Sequence, residues 1–207
     1  MRALVALLLC LAAPLAAHPH IFVQTGLRLV EHAPGQIAGV EVTWRYDALY
    51  SLLVLEDMGL DADLDGVLSP REQQALSGFD LNWIDGFEGD LYLHTAAGPL
   101  SLSAPQNRGA ALVEGQIVSR HYRALAGAVS ALTLKAFDPT YYTAYELDLG
   151  IDLPVGCVAQ VAKADVSAAS QMVMELMGDA GDDPEADFPE VGEAFADEIV
   201  VTCASGS

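Results

Sequence analysis

Positive charge is what this chain has least of. Nine Lys and Arg residues stand against 29 Asp and Glu, for a formal net charge of −20 at pH 7. So acidic a surface repels phosphate backbones and anionic headgroups, which argues against nucleic-acid and membrane-surface roles. Cations are the partners it suits. Long apolar runs are equally scarce. After residue 17 nothing approaches the roughly 20 apolar residues of a bilayer-spanning helix, so no direct membrane insertion is expected. The chain also lacks a Gly-x-Ser-x-Gly elbow, a phosphate-binding glycine loop and a His-Glu-x-x-His zinc helix. Paired carboxylates are everywhere in so acidic a sequence and single out no acid–base pair. The expectation is therefore a binding protein and not an enzyme. Internal repeats and clear linkers are absent as well.

The amino terminus reads as an export signal. Arg2 precedes an unbroken apolar run from Ala3 to Ala13, and Pro14 to Ala17 supply a small-residue cleavage region. An uncleaved anchor is the competing reading, but the run is short for a span. Cys10 lies too deep in that run to be a lipid-attachment site. Cleavage after Ala17 leaves residues 18–207 as a single periplasmic domain. It also leaves two cysteines, Cys157 and Cys203, and an even count in an exported protein reads as one disulfide.

Strand signals dominate the rest of the chain. His20 to Val30 and Ile37 to Tyr46 alternate around Gly35 and are predicted to form a hairpin. Ala48 to Met58 carries leucines at helical spacing, and Pro70 to Ser77 reads as a short helix. Further strands are predicted at Asp90 to Thr95, Leu100 to Ser103, Leu112 to Leu125, Ala131 to Phe137, Tyr141 to Leu149, Cys157 to Ala164 and Ile199 to Cys203. Ser167 to Met177 reads as another helix. The predicted class is α+β: a mostly antiparallel, sandwich-like β domain with a helix–loop–helix inserted at about 48–77 and one helix near the C-terminus.

That insertion contains an EF-hand calcium signature, Asp-Ala-Asp-Leu-Asp-Gly-Val-Leu-Ser-Pro-Arg-Glu, from Asp61 to Glu72. Asp61, Asp63 and Asp65 alternate, so a turning backbone can bring three carboxylates to one hard cation. Gly66 permits the sharp turn after them. Val67 offers a backbone carbonyl, Ser69 occupies a position that often acts through water, and Glu72 can close the site with both oxygens. Leu68 is the apolar residue expected to pin the loop to the core. Ser69, Pro70 and Glu72 also spell a capping box with proline at the first helical position. Asp85, Gly86 and Glu88 do not have the spacing of a second loop. A solitary loop suits a structural clamp better than a sensor, which works by opening a helix pair.

Cleavage after Ala17 would make His18 the first residue, able to offer both amine and imidazole to a metal. His20 would face the same side of a strand. Nitrogen ligands suit zinc, nickel or copper. Pro19 has no amide hydrogen, which rules out a square-planar amino-terminal chelate built on deprotonated amides. His94 and His121, in strand-like segments, and nearby carboxylates are the candidate completing ligands. The competing reading makes His18 and His20 polar residues entering the first strand.

Several of these motifs come together in one resemblance: His18-Pro19-His20-Ile21-Phe22, Thr43-Trp44, the leucine-rich helix into an Asp-x-Asp-x-Asp-Gly loop, Phe137 to Tyr142, and Cys203. In this order the chain resembles a bacterial periplasmic family, domain of unknown function 1007, often labelled the periplasmic component of an uncharacterised ABC-type transport system. The resemblance covers essentially the whole mature chain. Members tend to be encoded near nickel, cobalt or zinc transporters, which implies transition-metal handling beside a membrane metal transporter. It implies no catalytic residues.

Three further stretches read as structural. Phe137 to Tyr142 is a turn around Asp138 whose aromatics serve the core. Met172, Met174 and Met177 share a predicted helix with Val173 and Leu176 and read as core packing. Gly178 to Glu198 reads as a solvated acidic loop tethered by the disulfide. Three functions remain: a metal-handling accessory of a transporter, a calcium-stabilised interaction module with no transition metal, and, with least support, a copper enzyme at His18.

Overall fold

The computed structural model describes residues 18–177 and 188–204. The signal reading of residues 1–17 and the first half of the acidic stretch, 178–187, lie outside them. The elements are β1 (Ile21–Ala33), β2 (Gln36–Tyr46), α1 (Ala48–Met58), α2 (Pro70–Leu76), β3 (Leu91–Thr95), β4 (Gly98–Pro99), β5 (Gln106–Val113), β6 (Gln116–Val129), β7 (Ala131–Ala136), β8 (Thr143–Asp152), β9 (Cys157–Ala162), α3 (Val166–Met177) and β10 (Glu198–Cys203). A 3-10 turn, Gly192–Phe195, precedes β10.

The strands form two five-stranded sheets, ordered β5-β6-β2-β1-β8 and β4-β3-β7-β10-β9. Pairing is antiparallel except between β1 and β8, which run parallel. Period-2 alternation puts Val23, Leu27 and Leu29 of β1 and Val40, Val42 and Trp44 of β2 on a buried face. Leu91, Leu93, Leu132, Leu134, Ile199 and Val201 do the same in the other sheet, and all of them belong to one apolar cluster. The mostly antiparallel α+β class is therefore observed.

Two strand assignments change. The predicted Leu112–Leu125 strand is a hairpin: Glu114 and Gly115 take positive φ (53° and 77°) and turn β5 into β6. Leu100 to Ser103 is not a ladder strand; within it Leu102 makes an isolated bridge to Leu125. The methionine expectation is corrected too. Met172 and Met174 are 45% and 66% exposed, because α3 fully buries only Ala169.

Cys157 and Cys203 are direct cross-strand partners at the β9–β10 end and are joined by a disulfide. The bond ties the edge strand β9 to its neighbour in the sheet. Val191 and Ala196 are buried, Lys135 pairs with Glu193 and Glu198, and Lys163 pairs with Asp197. The described half of the acidic stretch is thus partly packed and ion-paired, more than the solvated, disulfide-tethered loop expected.

Candidate functional site

The 61–72 loop is positioned by helices that the local sequence starts and stops. Asp47 caps α1, accepting from the N–H of Tyr50 at 2.9 Å. Gly59, at φ 64°, ends α1 in the left-handed region, with Leu60 N–H donating back to the Leu55 carbonyl at 2.8 Å. Gly59 and Leu60 therefore stand between the helix and Asp61. On the far side the capping box forms as expected, with Pro70 in the first turn of α2. Leu76 is fully buried, and the Gln73 amide donates to the Ala110 carbonyl, which docks α2 on β5. Leu68 packs against the core, as its place in the motif suggested.

Inside the loop the three aspartates converge. One carboxylate oxygen each from Asp61, Asp63 and Asp65 lies within 4.8 Å of the others. Asp61 is buried, whereas Asp63 and Asp65 are exposed. Gly66, at φ 76°, donates its N–H to both oxygens of Asp61 at 3.2 Å, a reversal that a side chain there would strain. Val67 N–H donates to Asp65 Oδ1 at 2.8 Å. Glu72 closes the loop with both oxygens: Oε1 accepts from Asp61 N–H at 3.2 Å and Oε2 from Ser69 N–H at 2.9 Å. Hydrogen bonds from Ser69, then from the Asp61 amide, hold the Glu72 carboxyl below its ordinary pKa, so it stays charged. Three clustered carboxylates are hard-oxygen donors of the kind that suit a calcium-like cation, while Glu72 ties the two ends of the loop together.

The four candidate histidines do not gather. His18 and His20 lie together at the start of β1, with ring centroids 5.0 Å apart. Tyr142 stands 4.6 Å from His20, and Phe188 stacks on His18 at 3.8 Å. His94 is exposed on β3 in the other sheet. His121 is only 1% exposed, walled by Trp44 and Trp83 at 4.7 and 5.6 Å. Among the described residues the sole metal-ligand group of three or more is the aspartate triad. A histidine site completed by His94 and His121 together is therefore not assembled.

His121 belongs instead to a buried polar stripe that sequence reasoning missed. Ser119, His121 and Arg123 follow one another on the inner face of β6, flanked by buried Ile117 and Leu125. The segment after α2 is fastened to this stripe. Asp80 Oδ2 accepts from Tyr46 Oη at 2.8 Å and from the Ser119 hydroxyl. Trp83 Nε1 donates to the Asp80 carbonyl at 2.8 Å, and its ring lies 5.0 Å from the Arg123 guanidinium. Arg123 also donates to the Ser103 and Glu88 carbonyls. A Cβ at Gly89 would collide with the Trp83 ring, so this chain reversal needs glycine. Nearby, buried Asp90 accepts from Tyr145 Oη at 2.9 Å. Burial pushes the Asp90 carboxyl up to about 7, and burial, helped by the Arg123 charge, pulls the His121 imidazole down to about 4. The flanks could have revealed the stripe: with Ile117 and Leu125 inward, period 2 puts residues 119, 121 and 123 inward too.

The turn at Asp138 forms as expected, but its aromatics Phe137, Tyr141 and Tyr142 lie outside the apolar core cluster, and Tyr142 is 45% exposed. Asp138 accepts from Thr140 and from Thr143 N–H, Phe137 stacks on Tyr92 at 4.3 Å, and Tyr141 stacks on Phe195 at 3.9 Å. Only Tyr142 turns toward the histidines. A family model described as a protein of unknown function (DUF1007) matches residues 3–203, taking in the histidine start, the acidic loop, the polar stripe and both disulfide cysteines. The chain belongs to the DUF1007 family. No curated protein matches it. DUF1007 membership accords with the order of motifs along the chain and assigns no chemistry, so function has to be argued from the site.

Proposed function

We propose that this DUF1007 protein is an exported, periplasmic metal-binding protein, accessory to metal-ion transport, that holds one calcium ion in the 61–72 loop in the EF-hand manner. The observation that carries this reading is the convergence of Asp61, Asp63 and Asp65 oxygens within 4.8 Å, beside a Glu72 carboxylate that spans the loop. Three carboxylates so close repel one another, and a divalent cation is the natural neutraliser. Val67 would add its carbonyl, and Ser69 would act through water. The disulfide Cys157–Cys203 fits an exported protein. Exported modules bind calcium at about 10⁻⁴–10⁻³ M. At ten times the dissociation constant the ion adds about 1.4 kcal/mol of stability, enough to clamp a loop and little to drive a switch.

Calorimetric titration of the mature protein with calcium tests the reading. One site is expected, lost in Asp61→Ala and weakened in Glu72→Gln; calcium binding unchanged in both variants would end it. A second site, for zinc, nickel or copper, is favoured by one observation: the His18 and His20 rings lie 5.0 Å apart at the start of β1. Paired imidazoles suit these borderline metals. Metal analysis of a His18→Ala, His20→Ala double variant tests that arm. Transition-metal binding equal to wild type would leave the alternative, a calcium-stabilised interaction module with no transition-metal role.

A further inference from the structure

Helix α1 carries more apolar surface than the fold covers. It fully buries only Ser51 and Leu55. Leu49, Leu52 and Leu53 are 66%, 47% and 53% exposed. A helix apolar on every side is normally enclosed on every side, and this one is not. On its outer flank lies an open groove of about 470 Å³, walled by Tyr50, Leu53, Val54, Asp57 and Met58 of α1 and by Phe79, which lies just after α2. The α1 residues fall at helical spacings of three and four, so the groove runs along the helix and suits a second helix laid beside it.

Charge selects the occupant. Outside the 61–72 loop, the chain from Asp47 to Asp80 carries four carboxylates, Asp47, Glu56, Asp57 and Asp80, and no basic residue. Asp57 lies in the groove wall, and neighbouring Glu56 is exposed. A second copy of this chain would bring the same negative field against itself, and anionic lipid would be repelled in the same way. An apolar strip flanked by Lys or Arg satisfies both the apolar wall of the groove, exposed Leu53 included, and the carboxylates. We propose that the groove between α1 and Phe79 receives a basic amphipathic helix of a partner protein. The proposal stands without any ion in the loop.

A synthetic amphipathic Leu/Lys helix is the probe, titrated into the mature wild-type protein by calorimetry, with amide perturbations mapped by NMR. Perturbations should centre on residues 49–58 and on Phe79. Leu53→Glu, at an exposed position that leaves the core intact, should weaken binding about tenfold or more, as expected for a lost apolar anchor. Val155→Glu, 94% exposed elsewhere, should leave it unchanged. Because Leu53→Glu adds negative charge, a loss cannot come from weakened general attraction to a cationic peptide. Equal binding of a Leu/Glu helix, an unaffected Leu53→Glu protein, or perturbations outside α1 and Phe79 would overturn the proposal. So would Leu53-dependent self-association in sedimentation, which assigns the groove to a second copy, or Leu53-dependent binding to phosphatidylcholine vesicles, which assigns it to lipid.

Discussion

In the 61–72 loop, carboxylates of like charge stand side by side, Asp63 and Asp65 exposed and Glu72 held charged by Ser69 and the Asp61 amide. On β6, Ser119, His121 and Arg123 are each at most 3% exposed and sit among Trp44, Trp83 and Tyr46. Water reaches Asp63 and Asp65 of the first set, while buried Asp61 accepts from Gly66 N–H. The second set has no such solvent. Its cation is satisfied by carbonyls, its imidazole is held neutral, and the nearby Asp90 carboxyl is held protonated until about pH 7. The loop is thus suited to binding, while the stripe fastens the segment after the loop to the sheet.

The comparison can be broken most forcefully at Arg123. Arg123→Ala strips the donors from the Ser103 and Glu88 carbonyls and should cost about 3–5 kcal/mol in urea unfolding. If the regions are separate, calcium affinity measured on the folded variant stays at the wild-type value. A joint loss would make stripe and loop one unit.

Asp90 gives the next largest effect, and its sign is set by where the proton sits. Its folded carboxyl titrates at about 7, against about 3.9 unfolded. The native state therefore holds a proton that the unfolded chain has lost, and this contribution fades as pH rises from about 4 to 7. Asp90→Asn should raise stability near pH 8 by about 2–4 kcal/mol and change little near pH 4. Asn also tolerates the positive φ of 50° at this position. His121 works in the opposite direction. Its folded value of about 4 lies below about 6.5 unfolded, so its contribution is present above about pH 6.5 and lost as pH falls toward 4. Where the windows overlap the two slopes offset each other, so wild type should show a shallower pH profile than either Asp90→Asn or His121→Gln. Chemical denaturation across that range checks it.

Effects at the loop should be smaller. Glu72→Gln removes one negative oxygen and should cut the calcium-dependent rise in melting temperature, worth about 1–2 kcal/mol, while leaving any transition-metal binding at His18 and His20 intact. Smallest of all is the surface pair Arg28–Glu41, at 2.7 Å with Arg28 half exposed; Arg28→Ala should cost less than about 1 kcal/mol in the same denaturation.

Much of the loop was readable in advance, because its determinants are neighbours in sequence. Asp61, Asp63, Asp65, Gly66 and Glu72 declare it by spacing, Ser69 and Pro70 declare the next helix, and the predicted ends of α1, Ala48 and Met58, are the observed ones. The stripe was readable only in part. His121 looked like a metal ligand, since a polar residue on an alternating strand invites an outward or functional reading; the Trp walls that make it a core residue come from β2 and from the segment after α2. The β5–β6 turn was missed because apolar residues continue on both sides of Glu114 and Gly115. The parallel β1–β8 pairing joins strands more than a hundred residues apart, and no local signal encodes it.

The sequence by itself determined the acidic character, the even pair of cysteines beyond residue 17, the caps of the helices and the spacing of the loop carboxylates. Each is a matter of composition or of contacts within a few residues. Only the tertiary structure decided which polar groups lost their water. Burial is imposed by distant strands, and it separated His121 from His18 and His20, shifted Asp90 and His121 in opposite directions, and left Leu49, Leu52 and Leu53 of α1 uncovered. The spacing of the loop aspartates is written in the sequence, but only the fold leaves Asp63 and Asp65 in water and buries Asp61.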